Sequence, residues 1–319
     1  SVRLCWWPGH SHGRYSGSTW YADNFFHDLA DNCVAYHNID SPGVRGATLY
    51  VARHTTAEVE AFCTNLIGDM TGQTSPEVHR PSRAADQSFL ANGVPAFSTY
   101  PFLPHEDPEC KPWTGGCGNA WWWHSSADVR DKADEAILAL DTRISIEGVA
   151  RLANARVLPI DPSRSAQEAA GFVADFAAAT AGHLDTTALK QAADELLAAA
   201  TALTERARAA QDAEEADTVS INRGLMRFSR ALMPAVYTKG GRHVHDPAEW
   251  SPLMRNDRSS LFPSLGPGFA LAELAGQHEY GFVKAGLVRQ VNRVVDAFRE
   301  ATEVCRAATA ASEATPEVA

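Results

Sequence analysis

Basic residues are scarce in this sequence: 28 Lys and Arg stand against 39 Asp and Glu, a net charge of −11 over 319 residues. They form no run, which argues against a nucleic-acid or anionic-membrane surface, since both attract clustered Lys and Arg. No stretch approaches the roughly 18 apolar residues that a membrane span needs. Nor does the sequence open on the positive n-region and apolar h-region of a secretory leader. The six cysteines, Cys5, Cys33, Cys63, Cys110, Cys117 and Cys305, include no C-x-x-C pair. That spacing removes a zinc ribbon and a disulfide framework from consideration. Cys110 and Cys117 share a loop and can pair, but free thiols and a cytoplasmic location are the expectation.

What is present is globular: 45% of residues are hydrophobic and 21% charged, in a length that suits roughly two domains. Residues 1–160 alternate β-rich runs with helical segments, the α/β signal. Strands are expected at Val2–Trp7, Val34–Ile39, Ala47–Arg53 and Val94–Ser98. Helices are expected at Ser18–Asn32, after a Gly-Ser-Thr cap, and at Thr56–Met70. Tyr100–Trp123 reads as a long loop rich in Pro, Gly and Trp, and loops of that length inside a domain are usually functional. Asp161-Pro162 marks a boundary, because the residue before proline is pushed out of helix. Beyond it, residues 161–319 form a helical bundle, with apolar residues at three- and four-residue spacing in Ser165–Ala181, Thr186–Gln211, Val219–Met233 and Glu279–Ala311; Ala127–Asn154 carries the same period just before it. A buried strand seldom opens a domain. The apolar run from Ser1 therefore implies a longer precursor cut before Ser1, whose other piece, or a separate subunit, completes the sheet.

Gly9-His10-Ser11-His12-Gly13 follows the first expected strand. Read literally it is the G-x-S-x-G nucleophile elbow, with Asp40 and His124 following in the chain order of serine hydrolases. Read as metal chemistry, His10 and His12 lie at the C-terminal edge of a strand, where open α/β sheets place ligands. Asp40 ends a second strand in Asn38-Ile39-Asp40-Ser41, and His124 opens a helix after the long loop. Imidazoles and a carboxylate converging from strand ends are what a divalent metal requires.

A specific resemblance joins these segments. Val2–Asn24, with Gly17-Ser18-Thr19-Trp20-Tyr21-Ala22-Asp23-Asn24, is similar to the central segment of the zinc aminopeptidase superfamily that includes glutamate carboxypeptidase and the transferrin receptor. Asn38-Ile39-Asp40-Ser41 matches its Asn-x-Asp, whose Asp binds metal. Arg83-Ala84-Ala85-Asp86-Gln87-Ser88-Phe89, continuing to Gly93-Val94-Pro95-Ala96, matches its Ser-Asp-x-x-x-Phe…Gly-Ile-Pro stretch near the substrate pocket. His124-Ser125-Ser126-Ala127-Asp128 matches its His-(Ser/Thr)-x-x-Asp, whose His is the last metal ligand. Asn222-Arg223-Gly224-Leu225-Met226 and Phe262-Pro263-Ser264-Leu265, with the long final helix, resemble the helical dimerisation domain of the carboxypeptidase and receptor branch. The resemblance covers nearly the whole chain. It implies a mixed-sheet, zinc-exopeptidase-like sandwich of the phosphorylase/hydrolase type, incomplete in this chain, followed by a helical domain that forms a homodimer. The implied activity is hydrolysis of an amide, peptide or related C–N bond.

Two departures shape the expected site. Where the family carries Glu-Glu, as general base and metal ligand, this chain has His10-Ser11 with His12 beside them and one extra residue before Gly17. The family's earlier His-x-Asp ligands would fall before Ser1. What remains is His10 or His12, Asp40 and His124, with an imidazole able to accept a proton near neutral pH in place of the carboxylate base. Two histidines and one carboxylate suit a single zinc with an open position, and equally the facial triad of non-haem iron. A non-catalytic binding or structural protein that keeps the fold is the other class. An N-terminal nucleophile at Ser1, with its own amine as base, is a further alternative. Trp6, Trp7, Trp113 and Trp121–Trp123 make an aromatic zone that serves core packing or a substrate wall. Trp123 and Asp86 are taken as substrate-side residues, and Arg83 and Arg258 as bidentate grips for a substrate carboxylate. The Tyr237–His243 stretch is a loop able to reach a partner subunit's pocket. Gly115-Gly116-Cys117-Gly118 lacks the Lys-Ser/Thr of a phosphate loop and reads as a turn.

Overall fold

A computed structural model describes residues 1–7, 15–81, 88–111, 118–214, 216–246 and 261–310. They form a mixed α/β structure with short strands and long helices. In chain order the elements are α1 (Ser16–Asn24), α2 (Phe26–Asn32), β1 (Tyr36–His37), β2 (Leu49–Ala52), α3 (Glu60–Thr71), β3 (Ala96–Phe97) and β4 (Thr99–Phe102). The helices α4 (Glu135–Asn154), α5 (Pro162–Ala179), α6 (Thr187–Asp212), α7 (Thr218–Tyr237) and α8 (Tyr280–Ala310) follow. A 3-10 turn, Ala57–Val59, leads into α3. β1 and β3 are parallel, with Tyr36 opposite Ala96 and His37 opposite Phe97. β2 and β4 are antiparallel, with Leu49 opposite Phe102 and Ala52 opposite Thr99.

Local chemistry sets the helix ends. Asp134 caps α4 by accepting from the amides of Ala136 at 2.9 Å and Ile137 at 3.0 Å, satisfying donors that a helix start leaves open. Asp161 does the same for α5 through the Ser163 amide at 3.0 Å, with Pro162 supplying a ready-made first-turn φ. Asp217 caps α7 through the Ser220 amide at 3.1 Å. Gly72, at φ +76°, ends α3 in the left-handed conformation that glycine takes without penalty.

The apolar faces of α5 to α8 close on a core of Phe172, Phe176, Phe228, Phe262 and Phe298. The Phe172 and Phe262 rings stand 4.8 Å apart. On α7, a Cβ at Gly224 would collide with that of Ala308, so glycine sets the approach of α7 to α8. The same buried cluster continues through Tyr50, Leu66, Phe97 and Ile144 into the α/β part. Arg230 of α7 fastens the two across their joint. Its guanidinium donates to the carbonyls of Gly93 at 2.7 Å, Ala30 at 3.0 Å and Leu29 at 3.3 Å, and also to that of Cys33. Three of those carbonyls belong to the last turn of α2 and its C-cap, where a cation is favoured.

Several expectations change in detail. The expected Ser18–Asn32 helix breaks at Phe25, whose φ of −114° leaves the helical region, into α1 and α2. Its Gly-Ser-Thr cap gives way to Tyr15, a left-handed residue at φ +65° that makes no side-chain cap bond. Val2–Trp7, expected as a strand, carries no ladder among the described residues, because none of them runs a strand beside it. The stretch read as a loop from Tyr100 contains most of β4, which β2 holds in register. α4 begins at Glu135 rather than Ala127, since Asp134 supplies the cap. Cys110 is a free thiol, as are Cys5, Cys33, Cys63 and Cys305. No helix among the described residues is long and apolar enough to cross a membrane.

Candidate functional site

The chain leaves the C-terminal end of β1 through Asn38, Ile39, Asp40 and Ser41. Parallel pairing of β1 with β3 makes this the edge at which α/β sheets bind ligands. Asn38 donates from Nδ2 to the Tyr100 hydroxyl of β4 at 3.0 Å. Asp40 is half-buried, and its Oδ1 accepts from the Ser41 hydroxyl at 2.9 Å. Ser41 takes the left-handed region at φ +56° and Gly43 follows at +79°, so the chain turns sharply just past the carboxylate. A Cβ at Gly43 would press on Leu138 of α4 at 3.0 Å, which ties the glycine to close contact with that helix.

α4 holds this loop at both main-chain atoms of Gly43. Its amide donates to Asp141 Oδ2 at 2.6 Å, and its carbonyl accepts from the Asp134 amide at 2.8 Å. Asp141 Oδ1 accepts from the Tyr50 hydroxyl at 2.6 Å. Burial pushes the Asp141 carboxyl above its ordinary range, against the pull of these two donors. A bridge between Val44 and Ala133 continues the attachment.

His124 does not open a helix. It lies exposed in a turn at φ +58°, its ring stacked on that of Trp123 at 3.5 Å between centroids. The turn hangs from Trp122, which is buried and donates from Nε1 to Glu109 at 3.3 Å. Ser125 closes it by donating to the Trp122 carbonyl at 2.6 Å. Trp122 and Ala120 share a small core with Val44 and Leu103, and Trp123 packs against it. The segments that carry Asp40 and His124 are thus anchored in one cluster.

Among the described residues no three His, Cys, Asp or Glu side chains group as metal ligands. Asp40 and His124 are donors of the right chemistry, but a mononuclear site needs a third. His10, Ser11 and His12 lie outside the described residues, as do Arg83, Asp86, Trp113 and Arg258. The aromatic zone divides among several environments. Trp6 is 82% exposed, Trp7 packs on Tyr21 at 5.7 Å and Phe89 at 6.3 Å, and Trp121 is exposed beside the buried Trp122. Tyr237, expected in a loop, is the buried last residue of α7.

Sequence reasoning passed over the polar groups beside this edge. Arg53 and His54 follow β2 and are both buried, at 3% and 5% exposure. The Arg53 guanidinium lies 5.6 Å from the Tyr100 and Phe102 ring centres, and the His54 ring meets Tyr100 edge-on at 6.0 Å. His54 holds a left-handed φ of +51°, the kind of backbone strain that collects at functional positions. The signal was a pair of polar residues, Arg53 and His54, ending the apolar run Leu49–Ala52. His37 is structural: Nδ1 meets the Phe97 carbonyl at 3.1 Å and Nε2 the Ser145 hydroxyl at 3.0 Å. Burial holds its pKa below the ordinary value. No family model matches the chain, and no curated protein matches it.

Proposed function

We propose that the chain is a metal-dependent hydrolase of an amide, peptide or related C–N bond, built on a zinc-exopeptidase-like sandwich followed by a helical dimerisation domain. The observation that carries this reading is the placement of Asp40. It stands just past the C-terminal end of a parallel strand, in a loop pinned by Asp134 and Asp141, and that loop shares its core with the His124 turn. A divalent metal, zinc in the first place, would polarise the scissile carbonyl and acidify a bound water. The chain's own part is to supply Asp40 and His124 as ligands, with His10 as ligand or proton acceptor and His12 and Ser11 beside it. Ser41 orients the Asp40 carboxylate and Trp123 backs the His124 ring, the supporting contacts that metal ligands commonly need.

Exposed apolar residues support the partner readings. Val2, Leu4 and Trp6 are 55%, 74% and 82% exposed, which fits a further piece of polypeptide, from the same precursor or a separate subunit, completing the sheet. Phe282, on α8, is 71% exposed and fits a helical dimer contact. Among the described residues the five cysteines are free thiols, which fits the cytoplasm.

The test is turnover of a panel of peptides and acyl amino acids, with metal supplied, by the wild type and by Asp40→Asn. A loss of about a hundredfold or more in kcat/KM, with folding intact, is expected. Equal turnover by the two proteins would remove Asp40 from the site. Turnover that survives chelation of all metal would overturn the reading.

A further inference from the structure

Independently of that activity, the joint between the α/β part and the helical bundle holds an acid with no ion-pair partner among the described residues. Glu58, in the Ala57–Val59 turn, is 2% exposed. Its Oε2 accepts from the Ser165 hydroxyl of α5 at 2.8 Å, and its backbone carbonyl accepts from the Asp161 amide at 2.7 Å. Oε1 makes no hydrogen bond of good geometry among the described residues, although the Glu58 amide and the Thr56 hydroxyl lie close to the carboxyl. Glu58 lines a cavity with room for about one water molecule, walled by Leu232, Met233, Val236 and Tyr237 of α7 and by Glu168 of α5. The Tyr237 hydroxyl accepts from the Ala57 amide at 3.3 Å across the same joint.

The charges around Glu58 are already matched. Arg80 donates to Glu168 of α5 at 2.9 Å and also to Glu60 of α3. Arg164 of α5 reaches Glu60 at 3.2 Å. Two guanidiniums thus face two carboxylates. Arg230 of α7 also feels Glu58, but its donors are committed to main-chain carbonyls. The titratable group that α7 contributes to the cavity lining is Tyr237, whose phenol burial keeps neutral. A carboxylate at Glu58 would be buried with no cation bonded to it, an expensive arrangement. A carboxylic acid fits better: Oε2 keeps the Ser165 bond, and the acid's own proton provides a donor at the cavity. In keeping with this, burial raises the Glu58 pKa, against hydrogen bonds from its own amide and Ser165 and the field of Arg80.

We propose that Glu58 is an un-ionised carboxylic acid that fastens the helical bundle to the α/β part, and that its ionisation in alkaline solution loosens this joint. The folded protein then keeps a proton that the unfolded chain releases above about pH 4.3. Stability due to Glu58 is complete below that value. It declines as pH rises, until the folded-state acid has itself ionised.

Urea unfolding of the wild type and of Glu58→Gln, from acid to alkaline pH, tests this. The ratio of the two unfolding constants should change by about tenfold per pH unit within that window, the wild type being the weaker at alkaline pH. Parallel curves would overturn the proposal. Carbon-13 NMR of glutamate-labelled wild type needs no variant: one carboxyl should remain protonated at neutral pH, and a spectrum with every carboxyl ionised would overturn it. Amide exchange at Ala57 and Asp161, compared between the two proteins at matched pH, should agree in acid and run faster in the wild type in alkali. Equal exchange throughout would refute the loosening.

Discussion

Asp141 shows how one buried carboxylate can serve a loop to which it does not belong. It accepts from Gly43 and Tyr50 at 2.6 Å each, so removing it orphans two donors. Asp141→Ala should cost on the order of 2–4 kcal/mol in urea unfolding, and Asp141→Asn less, since its amide oxygen still accepts. If the Asp40 loop depends on this anchor, metal affinity should fall with it by about tenfold or more. His37 gives a pH prediction. Its folded-state pKa is depressed by burial, so the unfolded chain binds the extra proton below about pH 6.5. Stability should therefore fall with acidification, by up to about 1.4 kcal/mol per pH unit, and His37→Gln should flatten that limb of the profile. The position of Asp40 just past a strand was legible in the sequence, because it follows the run Val34–Ile39 that contains β1. Asp141 was not: it sits inside a helical pattern, and its partner Tyr50 is 91 residues away. No local period reveals that pairing.

At the scale of elements, the helices were the readable part. Three- and four-residue apolar spacing located α5, α6, α7 and α8 to within a few residues, because long amphipathic faces leave a strong period. The strands are two to four residues long, too short to show alternation. β4 hides in a Pro-rich stretch, with Pro101 opposite Tyr50. Its place is fixed by β2, far away in sequence, and His124 likewise takes its turn from the burial of Trp122 rather than from a helix signal. The element that most deserves a perturbation is α7, through Arg230. Its planar fork meets carbonyls of Gly93, Ala30 and Leu29, a geometry that lysine cannot reproduce. Arg230→Ala should destabilise by on the order of 3–5 kcal/mol, and Arg230→Lys should restore less than half of that. Full rescue by lysine in thermal unfolding would mean that charge, not the fork, is what α2 requires.

In the whole molecule, a single buried cluster joins the α/β part to the bundle, and the joint is made by Arg230, Glu58 and Tyr237 rather than by apolar contact alone. The apolar surface left bare at Val2, Leu4 and Trp6 lies away from that joint in the chain, on the segment that leads toward Gly9–Gly13. The proposed site therefore gathers from an N-terminal segment, a strand end and a turn, with only the latter two placed by the described core. Metal content of the purified protein, set beside that of His124→Ala, tests the proposal most directly. About one equivalent of zinc, lost in the variant while folding is retained, is the expected result. Iron at the same stoichiometry would redirect the chemistry, and wild-type protein that binds no divalent metal when offered it would contradict a metal-dependent hydrolase.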